Sequence, residues 1–282
     1  YNYSGSDVRV SVNNLDAALN HGISTSNRSG GQTFVTATGT VNSQGGDGIK
    51  SYGADGITVN AVDVHGRDTG VFAFNAYSGD VDITTTGTVT GTAYAGILGV
   101  NFTPGGNINI DANNVSGGLV GIAAYNNGNG SINITTSGTV SSASGIGIAV
   151  LSLESVEGAK KRASLAFASA PPASTVKITS GTVTGATSGI VVNTSADVEI
   201  DVTGKVTGQG GTAIDLQNVQ GASQVTLSDG WGLDGKVLAS TSGTSDKFIL
   251  AGSNASTLDL GLFGNTGSAN GIVGFDSLSV TD

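Results

Sequence analysis

The sequence predicts an all-β protein, a right-handed parallel β-helix (β-solenoid) of about eleven coils with one loop or helix insertion. Three observations carry this prediction. A short unit recurs along the chain, apolar residues within each unit alternate with a period of two, and glycine is frequent, at 46 of 282 residues. A period of two indicates strands rather than helices. A strand–turn unit this short buries its apolar side only by stacking on its neighbours.

The recurring unit reads V-x-I-x-T-x-G-T-V and is followed, after a glycine-rich turn, by a Gly-Ile pair. Its clearest copies lie at 81–89, 132–140, 176–183 and 198–206. In the first copy we expect Val81, Ile83 and Val89 to face the core and the residues between them to face solvent. The unit recurs about every 24 residues, which leaves room for short strands and tight turns. Right-handedness follows from the general preference of parallel crossovers.

Residues 152–174 interrupt the repeat in both spacing and composition. They hold two of the three glutamates and two of the three prolines. We therefore predict one β-helix domain over 1–282, an insertion at 152–174 that extends from it, and less regular coils over 225–282, where large apolar residues cluster. Loops that leave a regular scaffold often carry function. The candidate partner-binding residues of the insertion are Glu154, Glu157, Lys160, Lys161, Arg162, Leu165 and Phe167.

A second candidate surface is formed by outward-facing threonines of the repeat. Three interpretations stay open: side-chain ladders that only support the strands, a sticky face for self-association or a host ligand, and ice binding. Breaks in the array at Asp63 and Asn114 disfavour ice binding. The candidate contact residues on this surface are Thr38, Thr40, Thr86, Thr88 and Thr139.

The charge and the residue types exclude several functional classes. The net charge is −10, which disfavours nucleic acid as a partner because phosphate binding requires a basic surface. The chain has no cysteine, which excludes disulfides, thiolate metal sites and a cysteine nucleophile. Neither a metal site nor a catalytic triad is predicted from His21 and His65, and we interpret His65 as a turn residue. The G-G-D-G stretch at 45–48 leaves loose calcium binding open, but no cofactor is predicted.

One acidic cluster invites comparison with polysaccharide-cleaving enzymes, which use convergent carboxylates. Asp197, Glu199 and Asp201 alternate along one strand, and Lys177 is expected to stack beside Glu199 from the preceding coil. We interpret this arrangement as a cross-strand ion pair on a solvated face. The sequence therefore predicts a protein that is not an enzyme.

The G-T-V-x-G and G-I units, together with D-K-F-I-L and G-F-D-S-L between 246 and 280, resemble the passenger region of a type V secreted autotransporter of Gram-negative bacteria. The resemblance implies a protein secreted to the bacterial cell surface and anchored in the outer membrane through a C-terminal translocator barrel absent from this chain. It implies attachment to a host cell-surface or matrix protein or glycan, or to other bacteria. The alternative is a structural stalk presenting a more N-terminal domain. A polysaccharide-active enzyme or an ice-binding solenoid is less expected.

Overall fold

The computed structural model describes residues 2–3, 5–151, 175–241, 245–252 and 258–281. Over these residues the chain forms a parallel β-solenoid of about nine turns. The strands are β1 (Val8–Val12), β2 (Leu15–Ala17), β3 (Ile23–Ser26), β4 (Thr33–Ser43), β5 (Ile49–Gly53), β6 (Ile57–Gly66), β7 (Val71–Asn75), β8 (Val81–Gly91), β9 (Ala95–Asn101), β10 (Ile108–Gly117), β11 (Val120–Asn126), β12 (Ile132–Ser142), β13 (Ile146–Leu151), β14 (Thr175–Gly185), β15 (Ser188–Thr194), β16 (Asp197–Val202), β17 (Lys205–Val219), β18 (Ser223–Leu227), β19 (Gly232–Leu238), β20 (Lys247–Ala251), β21 (Ile272–Val273) and β22 (Ser277–Thr281). A single turn of 3-10 helix spans Leu260–Leu262. None of the described helical residues forms a segment long and apolar enough to cross a membrane.

The strands stack into three faces. The first face runs from β1 through the first halves of β4, β6, β8, β10, β12 and β14 to β22. The second face contains the second halves of the same long strands. The third face runs from β3 through β5, β7, β9, β11, β13 and β15 to β17. All of these pairings are parallel, which confirms the all-β solenoid prediction.

The corner between the first and second faces alternates between a long and a short form. Thr40 follows Ala37 by three residues, whereas its partner Asp63 follows Ala61 by two, so the register shifts. The extra residue of the long corner needs another hydrogen-bond acceptor for the N–H of the following threonine. That N–H donates to an Asn or Asp side chain of the short corner before it: Thr40 to Asn14 (2.9 Å), Thr88 to Asp63 (2.8 Å) and Thr139 to Asn114 (3.0 Å).

Glycine is needed at this long corner because the acceptor side chain lies directly against it. A Cβ atom on Gly87 would lie 2.3 Å from Asp63 Oδ1, and one on Gly138 would lie 2.5 Å from Asn114 Oδ1. The T-G-T stretch of the repeat therefore encodes a corner, with the glycine making space for the side chain that caps its neighbour.

The core consists of the inward-facing valines and isoleucines of all three faces. Val81, Ile83 and Val89 are fully buried, as their alternation predicted. Removing such side chains from water supplies the main stabilisation of the solenoid.

Buried asparagines hold the turns that leave the third face. Asn101 Nδ2 donates to the carbonyls of Gly79 (3.1 Å) and Asn107 (3.0 Å). Asn126, stacked on Asn101, is fully buried and has the same role one coil further on. These side chains replace hydrogen bonds that the turn backbone would otherwise form with water.

The number of turns is lower than the eleven coils expected from the sequence. The expectation divided the chain length by the repeat, but the terminal segments contribute only fragments of a coil. β2 has three residues and β21 has two. The expected insertion at 152–174, with its candidate residues Glu154 to Phe167, lies outside the described residues.

Candidate functional site

The outward side of the third face is apolar over five successive coils. In β5, β7, β9, β11 and β13 the outward residues stack in two files. One file holds Lys50, Phe72, Leu98, Ala123 and Ala149; the other holds Tyr52, Phe74, Val100, Tyr125 and Leu151. Most of them belong to a second apolar cluster, separate from the core. We call this surface the outer apolar face.

The outer apolar face is bounded on both sides by polar residues. In the preceding coil the files continue as Ser24 and Ser26. In the coils that follow, the second file continues as Asn193, and the first file continues as Val191 and then Asp215. The apolar character is thus confined to one stretch of one face.

Aromatic rings form one wall of a groove on this face. The ring centroids of Tyr52 and Phe72 lie 5.6 Å apart in a T-shaped pair, and those of Tyr52 and Phe74 lie 5.5 Å apart. Such edge-to-face packing fixes the rings relative to one another. The groove has a volume of about 510 Å³ and is also lined by Tyr94 and Tyr125. This volume lies within the range of about 300–1,000 Å³ typical of small-ligand sites.

Charged side chains form one end of the groove. The buried carboxylate of Asp47 accepts a hydrogen bond from the Thr69 N–H at 3.1 Å. Lys50 Nζ lies 3.9 Å from Asp47 Oδ2 and 3.3 Å from His21 Nε2. The same Nζ lies 5.7 Å from the centre of the Tyr52 ring, within the range of a cation–π contact. The Lys50 side chain is only 17% exposed, so its position is well defined.

His21 can link Asp47 and Lys50 through either of two tautomers. Its Nδ1 lies 2.9 Å from the Asp47 N–H and 3.3 Å from Asp47 Oδ2. With Nδ1 unprotonated, the ring accepts from that N–H and turns Nε2–H toward the Lys50 ammonium group. With the proton on Nδ1, the ring donates to the carboxylate and Nε2 accepts from Lys50, but the Asp47 N–H then faces a second donor. The first tautomer therefore satisfies the Asp47 N–H, and the second satisfies the lysine.

The phenols of Tyr52 and Tyr125 are neutral hydrogen-bonding groups at physiological pH. Burial, reinforced by the negative charge of Asp47, raises the pKa of Tyr52 above its ordinary value. Burial also raises the pKa of Tyr125, and Tyr94 beside it acts in the same direction. Burial disfavours the phenolate because the charged form loses hydration. The groove therefore combines aromatic surface with hydroxyls, carboxylates and one ammonium group.

The candidate threonines do not form a continuous file. Asp63 lies between Thr40 and Thr88, and Asn114 lies between Thr88 and Thr139. The N–H groups of these three threonines bond to the preceding corner side chains, so the residues belong to the alternating corner. Thr38 and Thr86 lie at the same corners and are exposed.

The acidic cluster of the later coils forms the expected ion pair. Lys177 Nζ lies 3.2 Å from Glu199 Oε2, and both side chains are about half exposed. Asp201 Oδ1 accepts from the Ser228 hydroxyl at 2.5 Å, and Asp197 Oδ1 accepts from the Ala222 N–H at 2.8 Å. Each carboxylate thus has a partner within the solenoid.

The remaining residues singled out from the sequence, His65 and Asp47, are both held within the solenoid. His65 lies within β6 and not in a turn, which corrects the sequence interpretation. Asp47 of the G-G-D-G stretch bonds to Thr69 and lies beside Lys50. Within the described part of the chain, no group of three or more His, Asp or Glu side chains could hold a metal ion.

The sequence analysis did not predict the groove. A signal was present in V-F-A-F-N of β7 and V-G-I-A-A-Y-N of β11, where both phases of the alternation are apolar. Strands that are apolar on both sides are expected to be covered on both sides. No protein-family model, curated protein or solved structure matches this chain.

Proposed function

We propose that this chain is an attachment module, an adhesin-type passenger of a type V secreted autotransporter with a right-handed solenoid, displayed on the bacterial cell surface. In this role it binds a host cell-surface or matrix molecule or another bacterium. The groove on the outer apolar face is the observation that carries the proposal. A concave apolar site with a few fixed polar groups is the usual form of a ligand site.

The distribution of outward residues favours binding over a purely structural stalk. A stalk requires only a buried core and polar faces. The first and second faces meet this requirement with threonine, asparagine and aspartate, for example Thr84, Thr90 and Asn109. The third face departs from it mainly between β5 and β13, where nine of the ten outward residues are apolar or aromatic and Lys50 is the exception. The segment 152–174 and the corner threonines are further candidate contact surfaces for the same function.

A polysaccharide-active enzyme is the second candidate, because the groove combines aromatic rings with two carboxylates, Asp47 and Asp68. Such hydrolysis requires an acid and a base or nucleophile. Asp47 is already bonded to Thr69 and lies beside Lys50, which favours binding over cleavage. Incubation of the chain with polysaccharides, followed by analysis for new reducing ends, separates the two. Cleavage lost in Asp68→Asn would establish the enzyme.

Attachment of the labelled chain to cultured host cells and to immobilised matrix proteins tests the proposed function. We expect the wild-type chain to attach and Phe74→Ala to attach less. Tyr77→Ala is the matched control, since Tyr77 is 68% exposed and lies outside the groove. A version with 152–174 replaced by a short Gly-Ser turn measures how much of the attachment depends on that segment. Failure of the wild-type chain to attach to any surface would favour the stalk.

A further inference from the structure

We infer that the groove on the outer apolar face binds a neutral saccharide chain that lies along the solenoid axis. The inference rests on the proposed attachment function and deepens it by naming the class of ligand. It is argued from the shape of the groove, its charge balance and the division between apolar wall and polar end.

The groove is elongated along the axis. Its partly exposed wall is formed by Tyr52, Phe74 and Leu98 on three successive strands, β5, β7 and β9, whereas Val100 and Tyr125 of the same lining are buried. Neighbouring strands lie about 4.8 Å apart, so these three strands span about 10 Å. A linear ligand of several small units fits this shape better than one compact group.

The charges at the groove end nearly balance. Asp47 and Asp68 are acidic, Lys50 is basic, and the His21 ring lies within 3.3 Å of both Asp47 and Lys50. The whole chain carries a net charge of −10, which repels polyanions. An anionic ligand would be repelled by the two aspartates, and a cationic ligand would be repelled by Lys50. A neutral ligand with many hydroxyls meets both donors and acceptors.

The wall and the end of the groove match the two sides of a sugar ring. A pyranose has C–H groups on its faces and hydroxyls at its edge. The faces of aromatic rings are negative and attract positively polarised hydrogens. Tyr52 and Phe74 are partly exposed and supply such surfaces, whereas Phe72 is almost buried behind them.

Hydroxyl recognition falls to groups that are held in place before the ligand arrives. Lys50 is fixed by Asp47, His21 and the Tyr52 ring. The Asp68 carboxylate is exposed at the groove, and no other described side chain bonds to it. A carboxylate that accepts two sugar hydroxyls forms charge-assisted hydrogen bonds, which are stronger than neutral ones. Fixed donors and acceptors lower the entropic cost of binding.

The test is binding of the full chain to an array of short neutral and acidic oligosaccharides, followed by calorimetry with the best neutral one. We expect a neutral oligosaccharide to bind, with about tenfold weaker binding in Phe74→Ala and in Asp68→Asn. Matched controls are Tyr77→Ala and Asp16→Asn, which change an exposed aromatic and an exposed carboxylate outside the groove. Both should bind as wild type. Circular dichroism of every variant confirms that the solenoid is intact.

Several outcomes would overturn the inference. They are binding only of acidic sugars, equal binding by groove variants and controls, and capture of apolar peptides or acyl chains in place of sugars. Binding that appears only after 152–174 is replaced would show that this segment of the chain is the natural occupant, and would also overturn it. Cell attachment that persists without any sugar binding would retain the proposed function and remove only the saccharide. Sugar binding without cell attachment would retain the saccharide site and remove the proposed attachment function.

Discussion

Replacing Asn126 by alanine should destabilise the solenoid through its turns, although no apolar contact of the core is lost. Asn126 Nδ2 donates to the carbonyls of Gly106 (2.9 Å) and Gly130 (3.2 Å), and its Oδ1 accepts from the Gly128 N–H at 2.9 Å. All three bonds are buried, and alanine leaves each backbone partner without an acceptor or donor. A buried polar group that loses its partner costs about 1 kcal/mol or more, so the substitution should cost about 3 kcal/mol in total.

Equilibrium unfolding in urea measures this loss, and native-state hydrogen exchange locates it. The stability of a repeat array is close to a sum over coils and their neighbours, so the loss should concentrate in the turn that holds Gly128 and in the adjacent coil. Asn129→Ala in the same turn is the control, because Asn129 is exposed and the change should stay within about 0.5 kcal/mol. If Asn126→Ala and Asn129→Ala lowered the free energy of unfolding equally, the claim that the buried Asn126 side chain stabilises this turn would be refuted.

Three further predictions concern the core, the corner and the groove. Thr85→Val should stabilise the solenoid by about 1 kcal/mol in urea unfolding, because the buried Thr85 hydroxyl has no hydrogen-bond partner among the described residues; a loss of stability would contradict this. Gly87→Ala should cost about 1–3 kcal/mol, since its Cβ would meet Asp63 Oδ1, and a cost near zero would show that the corner can relax. Tyr125 has a pKa raised by burial, so the unfolded chain ionises first and stability should fall as the pH rises above the ordinary value of 10.0. Alkaline unfolding followed by phenolate absorbance measures this, and Tyr125→Phe should weaken the dependence.

The fold was predictable because its determinants are local and repeated. Each unit places valine or isoleucine at alternate positions, as in Val81, Ile83 and Val89, and the same arrangement recurs in every central coil. The number of turns was not predictable by division, since the terminal coils lack complete strands. The long and short corners were not predicted either. They depend on contacts between residues about 25 positions apart, such as Thr88 with Asp63.

The groove escaped the sequence analysis because it is assembled from different coils. Phe74, Val100 and Tyr125 are unremarkable one at a time, and they become neighbours only once the register of three strands is known. Its polar end brings together His21, Asp47 and Lys50, of which the first lies a full coil before the others. Apolar residues on both phases of β7 were the available sign that this face differs from the other two.

The alternation of long and short corners restricts how many coils the solenoid can gain or lose at once. The long corners at Thr40, Thr88 and Thr139 each depend on the Asn or Asp of the short corner before them, as Thr139 depends on Asn114. Duplication or loss of a single coil would set two corners of the same kind side by side and leave a threonine N–H without its acceptor. Duplication of two coils together would preserve every such contact. The smallest heritable unit of this array is therefore a pair of coils, and its length should change in evolution by even steps.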